Sequence, residues 1–390
     1  MKTWKGWGAG AAALTFLLFA GGWGAWAANP VHNPRPNLPN HNLIINGDMR
    51  LAQRGTSFTT LTTSQYTLDR WRWNDGGTTS VVVDITQSAT TPTVAEAGVN
   101  FSSSIQIDVT TAETIGTDER LLLEQRIEAQ DVTYFGHGSA GALTGYLSFW
   151  IRSTITGTGA MSVGLLRDDA TERFIREVTI STTNTWERKT LTYPGDTSGT
   201  AVTDNTGVGL TVEFVMAAGT DNDAASADVW ASSADTNTAT SNQANLLSNA
   251  SNDIFITGVQ FMMGPVDVPF RLRPIAEEII LAHRYYNRLL YADDQDPVGT
   301  GLSVSTTVCR VYVSWPEMRV APTVTDSDGA SFEVLHQVTL SPTTSVTTTA
   351  GRTPIGFVFI ATTGAVQTAG EGCLVQSDTT SVHIELDAEL

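Results

Sequence analysis

The sequence has 390 residues, of which 41% are hydrophobic and 16% are charged, and its formal net charge is -18 at pH 7. This length suffices for two or three domains, and the hydrophobic content excludes a disordered chain. A strongly acidic surface repels phosphate backbones, and the sequence shows no local basic patch, so we expect no nucleic-acid partner.

The N-terminal segment, residues 1–28, has three alternative interpretations. Lys2 and Lys5 precede an uncharged run that ends in the small-residue pattern AWAA at residues 25–28. This is the layout of a secretory signal peptide, and the run is also long enough for one membrane-spanning helix. A hydrophobic peg docked in a larger assembly is the third interpretation. Residues 29–41 hold four prolines and four asparagines, and they predict an extended linker.

Residues 42–273 show the alternation of β-strands. In the clearest strand, VNFSSSIQIDV at 99–109, apolar residues recur at period two, and similar runs cover 143–151 and 253–263. About eight strands separated by Gly, Thr, Asn and Asp turns predict an antiparallel jelly-roll β-sandwich. Residues 218–253 are polar without a strand pattern, and they predict a functional or mobile loop.

Residues 274–292 predict a connecting helix. Pro274 suits the first helical position, the acidic pair at 277–278 lies in the first turn, and Arg284 and Arg288 lie near the end. The alternation of strands returns after the helix and predicts a second, smaller β-sandwich domain over 293–390. The predicted fold class is therefore all-β, with one connecting helix.

The C-terminal region also holds the two cysteines, Cys309 and Cys373. A disulfide between them and two buried thiols are both compatible with the sequence. The acidic loops at 220–223 and 293–296 offer oxygen ligands suited to Ca²⁺, although neither has the spacing of an EF-hand, and a solvated loop is the alternative. We predict no cofactor beyond this optional structural Ca²⁺.

Catalytic motifs are absent from the sequence. GHGSAG at 136–141 is not the G-x-S-x-G of a nucleophile elbow, and the histidines lack the spacing of a zinc site. Adjacent acidic residues such as Asp168 and Asp169 do not identify a catalytic carboxylate pair, because the sequence has forty acidic residues. The sequence therefore predicts a protein that is not an enzyme.

Two strings, NLIINGDMRLAQRG at 42–55 and YTLDRWRW at 66–73, resemble the start of a recurrent module in bacteriophage tail fibre and receptor-binding proteins. Head spikes and the spikes of gene transfer agents use similar proteins. Later parts of the module appear in the same order at 147–153, 256–289 and 311–325, and LDAEL at the end of the chain is similar as well. The resemblance implies a carbohydrate-binding-like jelly roll.

The resemblance also implies a function. It is that of a non-enzymatic fibre or spike, usually a homotrimer, on the surface of a virion or virion-like particle, where it binds bacterial surface polysaccharide for host attachment. The N-terminal segment would then contact other virion proteins. The alternatives are a purely structural virion component, a secreted carbohydrate-binding protein if the segment is cleaved, and a polysaccharide depolymerase with a perturbed carboxylate pair in a groove.

The opening strings themselves favour a structural role. NGD at 46–48 is a turn signal, and Arg70 beside an acid and an aromatic residue can form an ion pair and stack on a ring. We therefore predict that Arg54, Asp69, Arg70 and Trp71 lock the edge of the sandwich rather than contact a ligand.

Sugar binding needs exposed flat aromatic rings with polar groups nearby. Tyr146 and Trp150 point away from the apolar phase of their strand, and Trp230 lies in a polar stretch. These three are the predicted carbohydrate-binding residues, with a second buried layer as the alternative for the first two. Trp186 and Tyr193 are expected in the core or at a sheet edge.

Overall fold

The structure is a computed structural model that describes residues 41–155, 160–168, 171–234, 236–264, 267–364 and 367–390. These residues belong to one compact unit, Pro39–Leu390. The predictions for the N-terminal segment and for all of the linker except His41 lie outside the described residues. Within the described ranges, no helix has the length and apolar character needed to cross a membrane.

The first part of the chain is almost entirely β-structure. Its strands are β1 (Ser57–Leu61), β2 (Gln65–Tyr66), β3 (Arg72–Gly76), β4 (Val82–Ser88), β5 (Ser104–Thr111), β6 (Arg120–Glu128), β7 (Gly145–Ser153), β8 (Met161–Arg167), β9 (Glu172–Val178), β10 (Glu187–Tyr193), β11 (Val208–Ala218), β12 (Trp230–Ser232) and β13 (Asp253–Met263). Two short helices, α1 (Val94–Ala97) and α2 (Ala129–Val132), and a 3-10 turn, Thr133–Phe135, join some of them.

These strands form two antiparallel sheets that confirm the predicted β-sandwich. Sheet A has the order β1-β4-β5-β13-β7-β10, and sheet B has the order β12-β9-β8-β11-β6-β3-β2. The core lies between them, because successive side chains of a strand point to opposite faces. Ile105, Ile107 and Val109 are fully buried there, as their alternation predicts. Each such side chain contributes about 1.5–3 kcal/mol to stability by leaving water.

The sequence predicts a functional or mobile loop over 218–253. In the structure, this polar stretch packs on sheet B. Asn222 Nδ2 donates to the Glu119 carbonyl at 3.2 Å, and Gln243 Nε2 donates to the Val215 carbonyl at 3.0 Å. Ala239 also forms a small buried cluster with Leu122 and Val215. The polar side chains thus satisfy backbone groups that a strand or helix would otherwise satisfy.

The predicted helix over 274–292 is correct only in its first half. Helix α3 covers Ile275–His283, and the chain then forms strand β14, Tyr286–Tyr291. Strand β14 pairs antiparallel with Val382–Asp387, nearly a hundred residues further on. This long-range pairing overrides the local helical pattern, which is a weak determinant on its own.

The C-terminal region is a second β-structure, as predicted, but its strands close into a barrel. The strands after β14 are β15 (Pro297–Ser303), β16 (Val308–Ser314), β17 (Thr323–Asp326), β18 (Phe332–His336), β19 (Thr339–Thr353), β20 (Gly356–Thr363), β21 (Gly372–Ser377) and β22 (Val382–Asp387). The barrel has the order β15-β16-β20-β19-β18-β21, and a three-stranded sheet has the order β14-β22-β17.

A disulfide between Cys309 and Cys373 settles the alternative left open by the sequence. It joins β16 to β21, the two strands that flank β15 in the barrel. On β15, Gly301 lies opposite Cys373, and a Cβ there would lie 1.8 Å from the Arg310 carbonyl oxygen. Only glycine therefore fits where the three strands are held together.

The opening strings form a junction between the sandwich and the end of the chain. The Arg70 guanidinium lies 3.5 Å from the centroid of the Tyr285 ring and forms an ion pair with Glu389. The Arg54 guanidinium lies 3.6 Å from the centroid of the Tyr286 ring and pairs with Glu389 at 3.3 Å. The predicted structural role of these arginines is confirmed.

The rest of the opening string is fixed in the same way. Asn46 Nδ2 donates to the carbonyl oxygens of Leu51 and Asp69, at 2.9 and 3.1 Å. The Gln53 amide donates to Asp69 Oδ2 at 2.7 Å, and Trp71 Nε1 donates to the Asn46 carbonyl at 3.0 Å. Asp69 and Trp71 are fully or almost fully buried, so this corner is part of the fold.

Candidate functional site

Tyr146 and Trp150 lie on the outer face of sheet A, but protein covers them, and they are only 4% and 8% exposed. Asp267 lies beside Tyr146, where Arg188 holds it by a pair of hydrogen bonds at 2.5 and 2.8 Å. We call residues 267–273, which contact Tyr146 through Asp267, the strap. The Tyr146 ring cannot stack on a sugar while the strap stays in place, and Trp150 is buried as well.

Trp230 lies on the edge strand β12 and is half-buried. Its Nε1 donates to the Pro194 carbonyl at 2.8 Å. Its ring packs against Phe174 and His137, with centroid distances of 5.4 and 5.6 Å. These contacts fix the edge of sheet B. Glycan binding by Tyr146, Trp150 and Trp230 stays a prediction.

A pocket of about 250 Å³ lies on the outer face of sheet B. Its floor comes from β6, β11, β8 and β9, at the positions that alternate with the core residues of these strands. We call it the sheet B pocket. The residues that line it are Asn74, Arg120, Leu122, Glu124, Arg126, Leu166, Asp168, Thr171, Arg173, Thr211, Glu213 and Ser233.

One group of charges in the sheet B pocket is organised around Glu124. Its carboxylate accepts hydrogen bonds from Arg72 Nη1 at 2.7 Å and Asn74 Nδ2 at 2.8 Å. Arg126 Nε lies 3.2 Å from the same carboxylate, and Arg126 Nη1 also donates to the Leu390 carbonyl. This wall of the pocket is therefore connected to the junction at the end of the chain.

A second group is the ion pair between Arg173 and Glu213. Arg173 Nε and Nη2 donate to the two carboxylate oxygens at 2.9 and 3.1 Å, which is a bidentate pair with fixed geometry. Gly164 leaves room for it, because a Cβ there would lie 2.7 Å from Glu213 Oε2. Burial raises the pKa of the Glu213 carboxyl, and the charge of Arg173 opposes this increase without cancelling it.

The third carboxylate of the sheet B pocket, Asp168, has a single hydrogen-bond donor in the described part of the chain. Thr211 Oγ1 donates to Asp168 Oδ2 at 2.6 Å. Loss of solvent raises the pKa of Asp168, and the Thr211 hydrogen bond opposes this increase. Its other oxygen remains available to accept a hydrogen bond from a ligand.

The polar stretch 218–253 supplies one wall of the sheet B pocket. Ser233 lines the pocket, and its carbonyl lies 3.5 Å from Arg173 Nη1. Thr238 Oγ1 lies at the same distance from this nitrogen. Part of the stretch thus lies beside the pocket, and its functional role stays a prediction.

The lining of the sheet B pocket determines what the pocket can bind. Guanidinium, amide and hydroxyl groups donate hydrogen bonds, and three carboxylates accept them. No aromatic ring is among the lining residues that the structure describes. The pocket thus suits a ligand rich in hydroxyl groups that is held by hydrogen bonds rather than by ring stacking.

Two other polar clusters offer fewer groups that could bind a ligand or catalyse a reaction. In GHGSAG, His137 Nδ1 accepts from the Asp196 amide at 3.0 Å, and Ser139 Oγ donates to the Gly136 carbonyl at 2.7 Å, so the two side chains do not form a nucleophile and base pair. In the barrel region, carboxylate oxygens of Asp294, Glu333 and Asp378 lie within 4.8 Å of one another. Carboxylate oxygens are suitable Ca²⁺ ligands, and one of these residues belongs to the predicted loop 293–296.

The sequence did not identify the residues of the sheet B pocket. Glu124 and Arg126, like Thr211 and Glu213, occupy alternate positions of their strands, which indicates a polar outer face. That signal was available. The pairing of β6 with β11, which brings the two polar faces together, joins segments about ninety residues apart and leaves no local pattern.

Comparison with known proteins gives structural neighbours only. No protein-family model matches the sequence, and no curated protein matches it. A candidate sugar-binding protein from Bacteroides thetaiotaomicron is 13% identical over 57% of this chain and all of its own, with a TM-score of 0.31. A family 61 carbohydrate-binding module in complex with β-1,4-galactotriose is 12% identical over 57% of this chain and 99% of its own, with a TM-score of 0.28.

A third neighbour is the family 11 carbohydrate-binding module from Clostridium thermocellum, in complex with a mixed-linked tetrasaccharide. It is 10% identical over 55% of this chain and 98% of its own, with a TM-score of 0.27. Likenesses at these TM-scores and identities assign no function to this chain.

Proposed function

We propose that this chain binds a bacterial cell-surface polysaccharide through the sheet B pocket and does not cleave it. The observation that supports this proposal is the fixed array of donors and acceptors in that pocket. The pairs Arg173–Glu213 and Thr211–Asp168 are already formed without a ligand. Binding therefore costs little side-chain entropy, which is the main advantage of a preorganised site.

The cellular setting is part of the same proposal. The chain is a fibre or spike on the surface of a virion or virion-like particle, acts as a homotrimer, and contacts other virion proteins through residues 1–28. Support comes from the opening strings at 42–55 and 66–73, which resemble the start of a module in tail fibre and receptor-binding proteins. Host attachment follows if the bound polysaccharide belongs to the host cell.

The test uses the full chain and purified polysaccharide from candidate host cells, with binding followed by sedimentation. Asp168→Asn removes an acceptor charge from the sheet B pocket, and we expect binding at least about tenfold weaker, because a hydrogen bond to a charged group contributes about 1.5–3 kcal/mol. Asp204→Asn is the matched control, since Asp204 is exposed in a loop outside the pocket. Equal loss in both variants contradicts a role for the pocket.

Hydrolysis of the polysaccharide is the second candidate function. Asp168 and Glu213 line one pocket, and both have a raised pKa, which is a property of the general acid in glycosidases. The bidentate contact of Glu213 with Arg173 instead favours a fixed binding role. An assay for new reducing ends in the same binding mixture separates the two functions. Steady release that Asp168→Asn or Glu213→Gln abolishes would establish hydrolysis.

A further inference from the structure

The outer face of sheet A carries a second array of side chains, beyond the part that the strap covers. Thr86, Gln106, Phe255 and Arg152 lie directly opposite one another on the neighbouring strands β4, β5, β13 and β7. Trp186, immediately before β10, extends this row, with its ring 6.3 Å from the Phe255 ring. The row therefore crosses five strands of one sheet face.

The end of this row is a partly exposed platform. The Arg152 guanidinium lies 5.0 Å from the centroid of the buried Phe255 ring, and Asn184 fixes it with two acceptors, each at 3.1 Å. Trp186 is half-buried, so part of the indole reaches solvent. A flat indole beside a fixed guanidinium offers the apolar and polar contacts that a sugar ring needs.

A row of three aspartates runs beside the platform. Asp108 on β5 lies directly opposite Asp84 on β4 and Asp253 on β13. Asp253 accepts from Gln106 Nε2 at 2.8 Å, whereas Asp108 has no hydrogen bond or ion pair in the described part of the chain. Like charges directly opposite one another on a sheet are destabilising. Burial, Asp253 and Asp84 together raise the pKa of Asp108.

We propose that this face is a second saccharide site, independent of the sheet B pocket, and that its ligand carries protonated amino groups. The sugar ring stacks on Trp186, and an ammonium group lies among Asp108 and Asp253. From β10 to β13 there are two strand spacings, about 10 Å in total, so the occupant is an oligosaccharide rather than one sugar. Charge complementarity selects the amino group.

The experiment uses the full chain and two probes that differ only in the substituent on the nitrogen. These are the glucosamine tetramer, with free amino groups, and the N-acetylglucosamine tetramer. Calorimetric titration at pH 6 is expected to give binding of the glucosamine tetramer at least about tenfold tighter than of its acetylated counterpart. Trp186→Ala and the double substitution Asp108→Asn with Asp253→Asn should each weaken the glucosamine tetramer at least about tenfold.

Folding of the variants is checked by unfolding in urea, and we expect the Asn variants to be at least as stable as the wild type because a repulsion is removed. Asp168→Asn in the sheet B pocket should leave binding of the glucosamine tetramer unchanged, which separates this site from the proposed function. Equal affinity for the two tetramers, absence of binding at millimolar concentration, or unchanged affinity in Trp186→Ala would each overturn the proposal.

Discussion

The junction at the end of the chain and the sheet B pocket each contain an arginine–glutamate ion pair, but the first closes the fold and the second lines a cavity. At the junction, Arg70 is 1% exposed and lies between the Tyr285 ring and the Glu389 carboxylate. In the pocket, Arg173 pairs with Glu213 on a sheet face that remains open as a cavity of about 250 Å³. Both pairs are fixed by geometry, but only the second leaves room for a ligand.

This difference shows what to expect of each region when a charge is removed. When one partner of the buried pair Arg70–Glu389 is removed, neither solvent nor a ligand can replace it. A change at the junction should therefore affect stability. Asp168, in contrast, is exposed and lines the cavity, so water can take the place of its carboxylate, and a change there should affect binding. Arg126 contacts both regions, because it lies beside Glu124 and donates to the Leu390 carbonyl.

The largest effect is expected from Arg70→Ala. The substitution leaves Glu389 buried without this partner and removes the cation from the Tyr285 ring. We expect the free energy of unfolding to fall by about 3–5 kcal/mol, the range for breaking one partner of a buried pair. Unfolding in urea, followed by tryptophan fluorescence, measures the change. The double variant with Glu389→Ala should recover part of the loss, and a loss equal to the sum of both single variants contradicts the pairing.

A smaller effect is expected from pH at His137, whose ring packs against Phe135 and Trp230. Burial lowers the pKa of His137 to about 4 from an ordinary value of 6.5, and the nearby charge of Arg167 adds to this. The folded state thus favours the neutral ring. Stability from this group is complete above pH 6.5 and is lost as pH falls toward 4, by roughly 3 kcal/mol.

The check is a series of urea unfolding curves between pH 7 and pH 4, with His137→Asn as the comparison. The amide oxygen of asparagine can still accept from the Asp196 amide, which His137 Nδ1 accepts in the wild type. The variant should lose less stability than the wild type on acidification. Parallel curves for the two proteins would mean that other groups cause the acid sensitivity.

The fold was predictable to the level of elements, since period-two alternation at residues such as Ile105 and Ile107 fixes which face is buried. The failure at Tyr286–Tyr291 has a physical cause: the partner strand Val382–Asp387 is remote in sequence, and no local signal reports it. The barrel was missed for the same reason. Closure depends on the pairing of β15 with β21, about seventy residues apart.

The sites were less predictable than the fold. A structural role for Arg70 followed from its acidic and aromatic neighbours, but its partner Glu389 lies 319 residues away. Tyr146 and Trp150 were correctly placed on the outer face of their strand. Their burial, which at Tyr146 involves Asp267 of the strap, is something that a strand pattern cannot reveal.

A change in the sheet B pocket should separate binding from stability. Asp168→Asn is expected to weaken polysaccharide binding at least about tenfold. Its free energy of unfolding at neutral pH should stay within about 0.5 kcal/mol of the wild type or rise, because a carboxyl with a raised pKa is destabilising when charged. Binding and unfolding are measured on the same preparation. A loss of stability as large as that of Arg70→Ala would mean that Asp168 stabilises the fold, as the junction residues do, and would contradict a role in binding alone.

The smallest effect is expected at the strap. Arg188→Ala breaks the contact with Asp267, but both side chains are partly exposed, and an exposed pair contributes at most about 1 kcal/mol. We expect unchanged polysaccharide binding, because the strap lies on sheet A and the pocket on sheet B. The measurement is affinity, in parallel with intrinsic tryptophan fluorescence of the variant and the wild type as a check that the fold is unchanged. Tighter binding in this variant would mean that the freed rings of Tyr146 and Trp150 contact the glycan, and the closed face of sheet A would then join the binding surface.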